Sequence, residues 1–309
     1  MFNNLHFSIK NRTTLIIMVC CAFSYAQDYI DIGKFFISTT PQNAFNQENT
    51  GTTTIQEFGF QVDVPIVLDS TNAILVGGFA NRTDLFLDPS LPEISRLYAV
   101  GAKIGLNQTY NKKWSATYLF FPKMATDFSS GFRRGFQLGI LALLSQKKTN
   151  KLKYSYGLFY NSEEFGPLIV PILGVYYKSP NDRLEANILL PLLADLNYTL
   201  GRRTNVGANF DGIGTSYAIS NPSFPNTYVN KNTNELYFYF EYELSPSLNI
   251  RFKTGYTFFR NYRIYEESDK VYLSISSIYF GDNRTILNTD FEDGFVFKAV
   301  LRYRFNLPN

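Results

Sequence analysis

The chain has 309 residues, 29 of them Lys or Arg and 26 Asp or Glu, with a net charge of +3, one His, two Cys and 17% aromatic residues. So balanced a charge leaves no concentrated basic face for nucleic acid. His6, Cys20 and Cys21 all precede residue 27, so a chain trimmed there could form no Ser-His-Asp triad, no Cys-His pair and no His/Cys zinc site. We therefore expect no enzyme, no catalytic residue, no metal ligand and no cofactor.

The N-terminus reads as a secretory signal peptide over residues 1–26. Lys10 and Arg12 precede the apolar run Leu15–Phe23, and Ser24-Tyr25-Ala26 puts small residues where cleavage needs them. The apolar run is about half of what a spanning helix requires. Without Lys10 and Arg12 the remaining chain carries 27 basic residues against 26 acidic ones.

From residue 27 to 309 the dominant pattern has period two. Fourteen strands are expected, over 28–38, 53–67, 73–86, 96–108, 114–126, 134–146, 152–161, 168–178, 183–191, 194–200, 205–217, 233–244, 249–262 and 294–306. The clearest runs from Glu235 to Leu244, with Leu236, Phe238, Phe240, Tyr242 and Leu244 on one face and Glu235, Tyr237, Tyr239, Glu241 and Glu243 on the other. Many of these segments have ten or more residues, the length that a tilted membrane strand needs and about twice that of a typical soluble strand. Short turn signals such as Asp69-Ser70-Thr71-Asn72 and Ser245-Pro246-Ser247 alternate with longer polar loops near 39–52, 87–95, 127–133, 161–167, 218–232 and 263–293. Aromatics at strand ends (Trp114, Tyr176, Tyr177, Tyr198, Tyr242, Tyr303, Phe305) suit interfacial girdles. The expected fold is all-β: one transmembrane antiparallel up-and-down β-barrel of about 14 strands, with 12 or 16 as alternatives. The count would fall if 183–200, interrupted by Pro191, were one bent element, and rise if Val271–Phe280 added strands.

The chain resembles an uncharacterised family of outer-membrane β-barrel proteins of Bacteroidetes-type bacteria. The likeness rests on the Ser24-Tyr25-Ala26-Gln27 cleavage region, the aromatic-rich alternating strands, the Val-Pro-Ile and Leu-Leu-Pro segments and the final strand Val300-Leu301-Arg302-Tyr303-Arg304-Phe305. It covers essentially all of residues 27–309. It implies a bacterial outer-membrane location, with outer-membrane lipid and the barrel assembly machinery as partners, and it implies no reaction.

The candidate site is a charged strip on the inward face of the last strands. Glu235, Glu241 and Glu243 face Arg251 and Lys253 on the next strand, and Lys298, Arg302 and Arg304 on the last. Antiparallel neighbours bring such residues within pairing distance, either as a salt-bridge ladder or as a strip that steers solutes. Asp63, Lys103, Lys153, Glu185, Asp195 and Asp211 are expected on other inward faces. The loop carboxylates Glu163 and Glu164 read as solvated. Inward glycines (Gly59, Gly101, Gly105, Gly139, Gly157, Gly255) are expected to leave room along the axis, and the 263–293 loop to form either a constriction or an extra hairpin. The function expected first is a passive channel or transporter for an unknown small solute. The alternative is a non-transporting barrel used for surface interaction or as a structural element.

Overall fold

The computed structural model describes residues 29–46, 51–91, 93–129 and 134–306; the expected signal peptide lies outside them. Fourteen antiparallel strands close into a barrel: β1 Tyr29–Ala44, β2 Thr52–Val67, β3 Asn72–Leu85, β4 Ser95–Thr109, β5 Trp114–Thr126, β6 Phe136–Thr149, β7 Leu152–Glu163, β8 Gly166–Lys178, β9 Leu184–Leu190, β10 Leu193–Thr199, β11 Thr204–Asn221, β12 Phe224–Ser245, β13 Leu248–Glu266 and β16 Phe295–Asn306. Each pairs with its neighbour in sequence, β13 pairs with β16, and β1 with β16 seals the ring. Two three-residue strands, β14 Leu273–Ile275 and β15 Ile278–Phe280, form a separate hairpin. The segment expected as one bent element or two strands, 183–200, is the two strands β9 and β10.

Side-chain type decides which way each strand faces. Phe58, Phe60, Ile104, Ile140, Leu173, Phe238, Phe252 and Phe297 all lie exposed on the outside. In water so continuous an apolar surface would drive association; around a closed barrel it is the lipid-facing belt. Tyr110, Tyr118, Tyr156, Tyr177, Tyr198, Tyr242 and Tyr303 are exposed near the short-turn end, as an interfacial girdle requires. Tyr176, expected in that girdle, instead points inward and is buried. Short polar side chains build the tight turns. The Asp69 carboxylate accepts from the backbone N–H of Thr71 (2.7 Å) and Asn72 (2.9 Å), and Asn111 Oδ1 from Lys113 (2.9 Å) and Trp114 (3.0 Å).

The inward glycines do not leave empty space. A Cβ on Gly59 would collide with the Phe36 ring, one on Gly101 would meet the Phe79 ring at 2.6 Å, and one on Gly255 the Tyr237 ring at 2.6 Å. Each of these glycines seats a neighbouring aromatic ring flat against the wall.

The barrel is uneven in height. β9 and β10 have seven residues each, whereas β11, β12 and β13 have 18, 22 and 19. Above the β9–β10 turn, β11 has lost its neighbour. Its far end crosses the mouth instead: Ala218 pairs in parallel with Thr126 of β5, and Asp127 N–H donates to Ala218 O at 3.2 Å. Residues 216–219 and 227–231 are buried on both faces, which no wall strand could be. The stretch 218–232, expected as a polar loop, is thus the end of a long hairpin folded inward. The expected 161–167 loop shrinks to the turn after Glu163.

Segment 267–294 completes the closure. Asn288 Nδ2 donates to Leu87 O (2.7 Å), Thr289 N–H to the Asp88 carboxylate (2.8 Å), and Asn46 N–H to Asp290 O (2.8 Å). Its hairpin lies along β8, with Ser274 and Ile275 beside Leu168 and Ile169. Of the two sequence expectations for this segment, the extra hairpin is the one found: the apolar stretch around Leu273–Ile275 pairs along the β8 edge. Two apolar clusters result. One joins Leu85, Leu87, Leu97, Tyr217, Val229, Tyr262 and Ile264; the other joins Phe165, Leu168, Val170, Ile172, Tyr228 and Tyr265.

Gly59→Ala should force Phe36 off its seat and lower stability by about 1–3 kcal/mol, the usual cost of overpacking. The check is the denaturant midpoint of the refolded barrel in detergent. Adding Phe36→Leu should recover most of the loss.

Candidate functional site

Strand register places the candidate residues. β12 sets Glu241 directly opposite Arg251 of β13, and β16 lies on the other side of β13 with Arg302 opposite Asn249. Arg251 Nε meets Glu241 Oε2 at 2.7 Å and Arg302 Nη2 meets the same oxygen at 2.6 Å. Arg251 also reaches along the inner wall, past β12 and β11, to Asp195 of β10 (2.5 Å), its guanidinium 3.6 Å from the centre of the Tyr239 ring, while the Tyr239 hydroxyl donates to Asp195 at 2.7 Å. Asp31 closes the group, 3.2 Å from Arg302 and 2.8 Å from Arg304. Glu241, Arg251 and Arg302 are all buried. Charges so buried are tolerable only because each has several partners.

The next level is looser. Register sets Lys253 and Lys298 directly opposite each other, a like-charge pairing that costs stability on a sheet. Each turns to its own acid. Lys253 bonds Asn209 and lies 3.5 Å from Asp211; Lys298 lies 3.8 Å from Glu235, whose carboxylate also accepts from the Tyr237 hydroxyl at 2.7 Å. Of the eight candidates, Glu243 is the exception. Half-buried at the short-turn end of β12, it joins no ion pair among the described residues.

Four of the eight, Arg251, Lys253, Lys298 and Arg302, face a chamber of about 510 Å³. Its lining holds five cations (Lys34, Arg251, Lys253, Lys298, Arg302) and four carboxylates (Asp31, Glu185, Asp195, Asp211), with Phe36, Phe79 and Leu193 between them. Above it a smaller space of about 210 Å³, bounded by Glu57, Lys123, Thr215 and Lys231, reaches up to the inward hairpin. Phe36, Phe79, Asn81 and Lys298 border both.

The residues that pin the hairpin to the wall lay outside the sequence-derived strip. Lys231 pairs with Glu57 of β2. Glu163, expected to be solvated, is buried: it accepts from Ser216 N–H (2.7 Å), Ser216 Oγ (2.6 Å) and Lys123 (3.0 Å). Glu57 lies on the same alternating face as Gly59 and Asp63, so its inward position was visible in the pattern. Its partner was not, because Lys231 sits in what reads as a loop.

Glu241→Gln should leave Arg251 with Asp195 and Arg302 with Asp31 as their remaining carboxylates, and cost about 1–3 kcal/mol, less than outright breakage of an isolated buried pair. Glu243→Gln should stay within about 0.5 kcal/mol. Chemical unfolding of both variants in the same detergent tests the contrast.

Comparison with known proteins adds the following. An outer-membrane channel of Pseudomonas putida F1 aligns at 7% identity and a TM-score of 0.46, over 91% of this chain and 98% of that one. The NanC porin aligns at 9% and 0.40, over 87% and 98%, and the Pseudomonas putida toluene transporter TodX at 12% and 0.39, over 95% and 93%. No curated protein matches the sequence. A family described as a domain of unknown function, DUF6268, matches residues 22–304.

Proposed function

The chain belongs to the DUF6268 family, and we propose that it is a gated channel or transporter for a small polar solute in the bacterial outer membrane. The observation that carries this reading is the polar chamber of about 510 Å³ inside a closed barrel whose mouth is crossed by the inward-folded end of the β11–β12 hairpin. A barrel with a purely structural role needs no such volume, and its interior could be filled with side chains. Lining of both signs favours a solute that carries charge or strong dipoles over an apolar one. We also propose a non-enzymatic role, insertion by the barrel assembly machinery, the Bacteroidetes-type affiliation drawn from the resemblance, and removal of residues 1–26 on export.

The alternative, a barrel that works only through its outer surface, is favoured by one observation. The mouth is sealed by two packed apolar clusters rather than by loose loops.

Planar-bilayer recording separates the two. The intact protein should be silent or open rarely. A variant in which a two-residue turn replaces 216–230, so that Thr215 and Lys231 keep their pairing, should give stable conductance steps. A trimmed variant that is folded, by its heat-modifiable gel shift, and still silent would sink the channel reading and favour the alternative.

A further inference from the structure

Three aromatic rings from separate elements, Phe165, Tyr265 and Tyr279, face one cation beneath the outer surface, and a fourth, Tyr228, offers it a hydroxyl. Phe165 comes from the β7–β8 turn, Tyr228 from β12, Tyr265 from β13 and Tyr279 from β15. Arg284 enters from the strand-free stretch after β15. Its guanidinium carbon lies 4.3 Å from the Tyr265 ring centre, 4.6 Å from that of Tyr279 and 5.8 Å from that of Phe165. One nitrogen donates to the Tyr228 hydroxyl at 3.3 Å. The side chain is 1% exposed, yet its neighbours Asp282, Asn283, Thr285 and Ile286 are on the surface.

The box has its own supports. Phe165 and Tyr279 stack edge to face at 5.5 Å, and Tyr228 and Tyr265 lie 5.6 Å apart. Asn230 and Asn232 donate to the Tyr279 hydroxyl at 2.8 and 3.0 Å, and the Tyr228 hydroxyl donates to Asp269 O at 2.6 Å. The faces of Phe165, Tyr265 and Tyr279 make a receptor for a guanidinium or alkylammonium group, while the Tyr228 face carries Lys270, 5.2 Å from its ring centre. Asp282 holds the other edge of Arg284, at 2.8 and 2.9 Å.

We propose that this box is a binding site for small organic cations, and that Arg284 is its built-in occupant, latching segment 267–294 across the mouth. A solute bearing a guanidinium or alkylammonium group would compete for the box, with Asp282 free to accept its N–H groups. Displacing Arg284 frees the stretch that ties β15 to Asn288 and Asp290, which anchor the cover to the β3–β4 and β1–β2 connections. The site itself rests on this geometry; its consequence for permeation rests on the gated-channel reading above.

Hydrogen exchange of the full-length protein in detergent tests the site without needing a current. Arg284→Ala should speed exchange across 268–290 by about tenfold, the factor carried by about 1.4 kcal/mol. Arg284→Lys should fall between that variant and the parent, and serves in its place if Arg284→Ala does not fold. Millimolar guanidinium or tetramethylammonium chloride should speed exchange of the same segment in the parent protein but not in Arg284→Ala, with sodium chloride of equal ionic strength inert. Unchanged exchange in both Arg284 variants would overturn the latch. Faster exchange in the variants with no response to either organic cation would reduce Arg284 to a structural tie and overturn the site. A cation response in exchange with no change in conductance would leave the site standing and count against the channel reading alone.

Discussion

Within a bilayer every backbone N–H and C=O must find a protein partner, because lipid offers none. Here the β9–β10 hairpin stops halfway up the wall, leaving edges on β8 and β11 with no neighbour. Much of the outer half of the molecule answers that deficit. The β8 edge takes the small β14–β15 hairpin as a patch. The β11 edge turns into the lumen, where its groups meet Thr126, Glu163 and Gln137. The patch keeps the lipid-facing texture of the wall it replaces: Tyr272, Ile278 and Phe280 are exposed on its outside.

The same bending sets the electrostatics. A strand pulled into the interior brings polar side chains with it, and each must be neutralised where water is scarce. Lys231 finds Glu57, and Ser216 finds Glu163. Lower down, the wall is regular and the charges come from alternation alone, so Glu241 can serve Arg251 and Arg302 together. The chamber lies between these two regimes. Of the charges that line it, Arg251 and Arg302 belong to the tight lower group, whereas Lys253 and Lys298 are held more loosely, 3.5 and 3.8 Å from their acids.

The wall was legible in the sequence because period two is a local signal. Glu235 to Leu244 declares its two faces, and once the hairpin register is known, Glu241 must meet Arg251. The cover was illegible for an equally physical reason. The run Asn226, Thr227, Asn230, Lys231, Asn232, Thr233 and Asn234 has the composition of a solvated loop, and only long-range partners such as Tyr279 and Glu57 make it a buried strand. The inward glycines misled in the same way. Local reading sees a missing side chain, whereas the structure shows the neighbouring ring that occupies the gap. Arg284 carries no sequence signal at all, since its aromatic box is assembled from residues as far as 119 positions away.

The cover is not a lid on a flexible tether. It continues β11, β12 and β13 and is pinned to the facing wall through Lys231–Glu57 and Ser216–Glu163, so it spans the mouth as a ribbon held on both sides. Gly212, whose N–H donates to Leu192 O at 2.8 Å, is the last residue of β11 still tied to the β9–β10 turn, and Gly214 follows just beyond it. Flexure would concentrate at this glycine-weakened root. A push on the ribbon at this root would therefore also load the β9–β10 hairpin, the shortest in the barrel wall.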